Sequence, residues 1–117
     1  MRIESLDHLV LTVHDLDATV AFYERLGMRH VEFAPDRHAL AFGTQKVNLH
    51  VAGREFEPKA TVPTPGSADL CFLVDELDPT GLDVIEGPVE RTGATGTIRS
   101  VYVRDPDGNL VELSEPL

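Results

Sequence analysis

Two histidines and two carboxylates stand at related places in the two halves of this chain. His8 heads the apolar run Asp7–Val13 and Asp69 heads Asp69–Val74, while His50 lies within Val47–Val51 and Glu112 within Asn109–Leu113. Asp69 lies 61 positions after His8, and Glu112 lies 62 after His50, so a duplicated unit would bring all four donors to one place. Imidazole nitrogens and carboxylate oxygens together suit a borderline divalent cation. Taken singly, each has a plainer reading: a strand-edge histidine, or in Asp69 a strand-start residue that bonds backbone amides.

The elements that must position these residues repeat. Asp7–Val13 is rich in leucine and β-branched residues, as in a strand buried on both faces. Asp15 then offers an N-cap, Leu16, Val20 and Tyr23 with Ala18, Phe22 and Leu26 form an apolar stripe, and Gly27 is a natural stop. Strands are predicted near 29–33, 38–42 and 46–51, with turns at Pro35-Asp36 and Gly43-Thr44. Residues 1–54 thus read as one β-α-β-β-β module. Prolines and glycines crowd the stretch that follows, which makes 55–67 a connector. The pattern restarts in 68–117, with a short helix expected between Asp78-Pro79 and Gly87-Pro88, then strands near 89–91, 98–104 and 109–114. Asp105-Pro106-Asp107-Gly108 supplies the last hairpin turn.

Strand alternation sorts the side chains further. If Glu112 faces a cavity, Leu110 and Ser114 join it, and Ser100, Tyr102 and Arg104 are aimed there from the preceding strand. Asn48 accompanies His50, with His38, Leu40 and Phe42 expected as the first module's counterparts of Ser100, Tyr102 and Arg104. Thr12 shares a side with His8 and Val10. Thr12, Tyr102 and Arg104 are therefore the candidate substrate contacts, with Lys46 and Arg91 as cations suited to an oxyanion. His14 reads as an exposed residue at helix entry, and His30 and His38 have no match in the other half.

Composition narrows the partners. A chain of 117 residues with 42% hydrophobic content holds one compact domain or two small modules. The formal charge of −10 opposes nucleic acid and anionic membranes. The lone Cys71 forms no intrachain disulfide and, inside an apolar strand, is expected to be buried. No segment reaches the ~20 apolar residues of a membrane span, and no secretory leader is evident, so cytoplasmic residence is the expectation.

The tandem modules, the histidine in Asp-His-Leu-Val-Leu-Thr-Val (7–13), Asn-Leu-His (48–50), Gly-Pro-Val-Glu-Arg-Thr-Gly-Ala (87–94) and the closing Arg-Asp-Pro-Asp-Gly-Asn-Leu-Val-Glu-Leu (104–113) resemble the vicinal oxygen chelate superfamily. That group includes glyoxalase I, fosfomycin-resistance proteins, extradiol dioxygenases and bleomycin-resistance proteins, and the likeness is nearest to small glyoxalase-domain proteins. The resemblance implies an α+β fold whose two modules form a curved mixed sheet around a divalent metal, in a homodimer. It implies His8, His50 and Glu112 as ligands of Ni²⁺, Zn²⁺, Mn²⁺ or Fe²⁺, with Asp69 or Glu112 moving a proton in a lyase or isomerase acting on a small oxygenated metabolite. Relatives usually carry histidine where this chain has Asp69, and glyoxalase I carries a carboxylate where it has His50. Ring-cleaving dioxygenation, opening of an epoxide antibiotic and non-catalytic drug binding are the alternatives.

Overall fold

The computed structural model describes residues 1–117 and divides into two compact units, Met1–Pro65 and Gly66–Leu117. The first contains β1 (His8–Val13), α1 (Leu16–Arg25), β2 (Arg29–Ala34), β3 (Arg37–Phe42) and β4 (Gln45–Val51). Its sheet has the order β1-β4-β3-β2, with β1 parallel to β4 and the other pairs antiparallel.

Helix α1 starts where the sequence signals it. Asp15 is extended and its side chain accepts the Ala18 amide at 3.0 Å, which satisfies a donor the first turn cannot. Thr19 Oγ1 donates back to the Asp15 carbonyl. At the other end Gly27 takes φ 95°, while its N–H and that of Met28 return to Glu24 and Tyr23. A side chain there would be strained, so the helix stops. The helix packs on β2 and β3, and the core beneath it gathers Leu11, Val13, Val20, Tyr23, Leu40 and Leu49. Leu40 is fully buried, so Leu40→Ala would cost about 2–5 kcal/mol.

β1 is buried on both faces only in its second half. Leu11 and Val13 lie in the core, whereas His8 is exposed and Val10 is 44% exposed, so the expectation of burial on both faces holds only toward the end of the strand.

The second unit comprises β5 (Asp69–Leu73), β6 (Glu86–Thr92), β7 (Thr97–Arg104) and β8 (Leu110–Pro116), in the order β5-β8-β7-β6. Its pairing repeats that of the first sheet, parallel for β5 with β8 and antiparallel elsewhere. Ile98, Val101, Val103, Val111 and Leu113 are its buried apolar residues.

The helix expected after Asp78 is absent. Asp78 Oδ1 instead accepts the Thr80 amide, Leu82 bonds back to Pro79, and Gly81 takes φ 79°. Fewer than ten residues separate Pro79 from β6, too few for nucleation to be repaid by propagation, with a glycine in the middle. The segment is held instead by Glu115, which accepts the Leu77 amide at 3.0 Å, and by the Ile85 amide on the Tyr102 carbonyl. The β-loop-β-β-β order is a shortened form of the tandem β-α-β-β-β architecture.

Candidate functional site

Register decides which side chains share a face. In the first sheet His8 pairs with Lys46, Val10 with Asn48 and Thr12 with His50, while Asn48 pairs with Ala39 and Lys46 with Ala41. Paired residues point to the same side, so His8, Thr12, Lys46, Asn48 and His50 share one face with Arg37, Ala39 and Ala41. His38 pairs with Leu49 and Leu40 with Val47, which puts His38, Leu40 and Phe42 on the helix side. Their expected place beside His50 is thus corrected. The two-residue Gly43-Thr44 turn sets this ladder, and alternation within a strand cannot reveal which parity it selects.

His8 Nδ1 lies 2.8 Å from Asp7 Oδ2. A carboxylate on Nδ1 fixes the tautomer and leaves Nε2 with its lone pair outward, the arrangement that metal-binding imidazoles adopt. His50 is buried beside Phe56, with the ring centroids 5.7 Å apart. Burial, and then the Arg37 charge, lower its pKa, with Glu55 opposing, so at neutral pH it is an uncharged donor or acceptor. His8 and His50 sit four residues apart along their common face, or about 13 Å at ~3.3 Å per residue, with Asn48 between them.

The second sheet makes a matching face. Asp69 pairs with Leu110, Cys71 with Glu112, Leu73 with Ser114, Tyr102 with Glu112 and Ser100 with Ser114. The expected company of Ser100, Tyr102 and Ser114 around Glu112 is present. Ser100 Oγ donates to Glu112 Oε2 at 2.6 Å, and Ser114 Oγ lies 2.7 Å from Ser100 Oγ and 3.3 Å from the same carboxylate oxygen. Both hydroxyls address Oε2, which leaves Oε1 for another partner. Arg91 Nε donates to Tyr102 Oη at 3.0 Å, and Arg91 Nη2 lies 3.4 Å from Glu86. Glu112, Arg91 and Cys71 line a cavity of about 570 Å³ rimmed by the loop Gly93–Gly96.

Cys71 is exposed, against the expectation of burial, because alternation from Asp69 turns it to the Glu112 face. Its Sγ lies 3.3 Å from Ser114 Oγ. Partial burial raises its pKa, the Ser114 hydrogen bond opposes, and the Glu112 and Asp69 charges raise it further, so the thiol form dominates. Asp69 is exposed at the start of β5. Arg104 Nη1 donates to the Gly108 carbonyl at 3.2 Å, across the turn that Arg104 precedes. Thr12 is buried beside His50.

Comparing the two ladders changes one equivalence. His8 faces Lys46 as Asp69 faces Leu110, so the position matching Glu112 is Asn48, and His50 matches Ser114. Asn48 Oδ1 is buried and has no hydrogen-bond partner. A carbonyl oxygen so placed calls for a donor or a cation. The free Nε2 of His8 shares that face, and a nitrogen and a carbonyl oxygen are both donor types that a borderline divalent ion accepts. A separate grouping, Glu32, Asp36 and His38, has its ligand atoms within 4.8 Å of one another on the β2–β3 hairpin, with His30 Nε2 2.9 Å from His38 Nδ1. Neither histidine has a counterpart in the other half of the sequence; the facing strands of a hairpin are the signal that pairs them.

No helix is long and apolar enough to cross a membrane. Residues 5–113 match the model of the Glyoxalase/Bleomycin resistance protein/Dioxygenase superfamily. The chain is 57% identical to the glyoxalase domain-containing protein RDO1 of Mycosarcoma maydis, over 97% of this chain and 69% of that one. Against the crystal structure of virulence protein STM3117 from Salmonella typhimurium the identity is 54%, with full coverage of both chains and a TM-score of 0.95. The fold is also shared, at 20% identity and a TM-score of 0.66, over 99% of this chain and 93% of that one, with the Listeria monocytogenes fosfomycin resistance protein FosX, solved with Mn(II). The chain belongs to the glyoxalase/bleomycin resistance protein/dioxygenase superfamily.

Proposed function

We propose that the protein is a divalent-metal-dependent, glyoxalase-like lyase or isomerase that acts on a small oxygenated metabolite and works as a homodimer. The observation that carries this reading is Glu112, held by two serine hydroxyls through one oxygen while the other is left free at a cavity that also presents Arg91. His8 and Glu112 are the proposed protein ligands, with Asn48 Oδ1 as the further oxygen donor, whereas His50, about 13 Å from His8 along the strands, is too far to share one ion with it. When bound, the ion supplies Lewis-acid polarisation of substrate oxygens.

The residues divide the remaining work. Asp7 orients the His8 ring, and the serine pair orients Glu112, so neither donor must be ordered when the site fills. Arg91, braced by Tyr102, meets negative charge that develops on the substrate. Asp69, on the same face as Glu112 and exposed, is the proposed proton carrier. The Gly93–Gly96 loop at the rim limits access of water.

The test is a titration of chelator-stripped protein with Mn²⁺, Ni²⁺, Zn²⁺ and Fe²⁺, read by calorimetry and melting temperature, with His8→Ala, Asn48→Ala, Glu112→Gln and His38→Ala in parallel. Stabilisation lost in the first three variants and retained in His38→Ala supports the reading, since the hairpin grouping is then not the ion's seat. Hemithioacetals, epoxides and catechols are then assayed under the ion that binds. Metal-independent stability with retained ligand binding would favour a passive drug-binding role.

A further inference from the structure

From the unpaired cations on the β1–β4–β3 face of the first unit, we infer that this face binds a small planar organic acid bearing a hydroxyl group, with Arg37 and Lys46 holding the carboxylate. The inference rests on the proposed function in taking this face as part of the ligand-binding surface, but it needs no metal.

Three observations carry it. The first is pairing. Three cations of the chain meet carboxylates, Arg99 with Glu115, Arg91 with Glu86 and Lys59 with Glu57. Arg37 and Lys46 form no ion pair. The acids nearby hydrogen-bond to other groups: Glu55 accepts the Gly53 amide, Asp7 holds His8, and Glu32 faces the opposite side, where it accepts the Asp36 amide. Arg37 and Lys46, on one face and free of ion pairs, can each offer an anion a direct partner.

The second is geometry. Lys46 Nζ lies 4.0 Å from the centre of the Phe33 ring, and Arg37 Cζ lies 5.9 Å from the same ring and 4.1 Å from that of Phe56. Phe33 falls at the bulge between Glu32 and Ala34 and is 45% exposed. Contact with aromatic rings holds both cations in place without an ion pair, so the N–H donors of the guanidinium remain for bidentate binding of a carboxylate. The exposed side of the Phe33 ring offers a surface for a flat ligand body.

The third is the orphaned acceptor. Asn48 Oδ1, on the same face between Lys46 and His50, is buried and without a donor. A ligand hydroxyl would satisfy it. A plain surface of snorkelling side chains explains the cations over the rings but leaves this oxygen unexplained.

The probes are salicylate, benzoate and the neutral salicyl alcohol, titrated into chelator-treated protein and followed by calorimetry and amide NMR shifts. Salicylate should bind more tightly than benzoate, and salicyl alcohol should bind at least about tenfold more weakly than either. Arg37→Gln and Lys46→Gln should each weaken salicylate about tenfold, and Asn48→Ala should bring salicylate to the level of benzoate. Near-native NMR spectra of these surface variants would show that folding is kept. Absence of acid binding at millimolar concentration, equal binding of the alcohol, unchanged affinity in the Arg37/Lys46 double variant, or shifts confined to residues 66–117 would overturn the inference. Acid binding without any metal response would sink the enzyme reading and leave this site standing; the reverse result would do the opposite.

Discussion

Ser100 Oγ and Glu112 Oε2 lie 2.6 Å apart across the β7–β8 pair, and the hydroxyl of Ser114 completes a three-residue chain with them. The contact joins neighbouring strands diagonally, since Glu112 pairs with Tyr102 in register. Ser100 is fully buried, so its hydroxyl must find a partner within the protein. Ser100→Ala should therefore lower stability by about 1 kcal/mol, measured by urea unfolding. It should also weaken metal binding about tenfold by calorimetry, because the carboxylate would lose its fixed orientation. A change in stability with unaltered metal affinity would mean that the serine does not position Glu112.

Glu115 ties the loop in place of the second helix to β8. The Arg99 side chain, followed by the Leu77 amide, holds its pKa below the usual value, and burial opposes this. A depressed carboxylate stabilises the fold above its unfolded pKa of about 4.3 and loses that contribution as pH falls through the lower folded value. Urea midpoints should accordingly drop less steeply below about pH 4.3 in Glu115→Gln than in the parent protein. In hydrogen exchange at neutral pH, the variant should also release the Leu77 amide. Parallel acid limbs would refute the linkage.

Asn109 fastens the closing turn to the start of β5. Its Oδ1 accepts the Ala68 amide at 2.9 Å and its Nδ2 donates to Asp105 Oδ2 at 2.8 Å, with the residue 1% exposed. Asn109→Ala strands the Ala68 amide and removes one hydrogen bond from the buried Asp105 carboxylate, at about 2–3 kcal/mol by denaturant unfolding. A loss under half a kilocalorie per mole, about the range of an ordinary surface change, would show that water replaces the amide without cost.

Gly87 combines φ 106° with a close approach to β7, where an added Cβ would come within 2.4 Å of the Ser100 carbonyl. Gly87→Ala must move the backbone that carries the Glu112 clamp. Loss of about 2–3 kcal/mol is expected, with the largest amide shifts at Val89, Ser100 and Val101. Unshifted amides in β7 would disprove the contact.

Much of this arrangement was legible in the chain. The first helix announced itself through Asp15, its apolar stripe and Gly27, and alternation alone placed Ser100, Tyr102 and Ser114 with Glu112. What the letters did not show came from pairing between strands. The face carrying His38 depended on the turn before β4, and the match of Asn48 to Glu112 depended on the β1–β4 ladder, neither of which is encoded within one strand. Cys71 was a local miss: the alternation that placed Glu112 also placed the thiol, but an apolar neighbourhood in sequence outweighed it. The expected second helix failed because a cap and a stop were present without enough residues between them.

The two ladders also bear on how a duplicated protein diverges. Moving a functional side chain by two places along a strand keeps its orientation and the neighbouring packing, and relocates it by only about 7 Å. His50 and Asn48 are separated by that one step. A descendant of this chain can therefore transfer a donor between these neighbours by point substitution, trading one ligand geometry for another while the apolar side stays untouched.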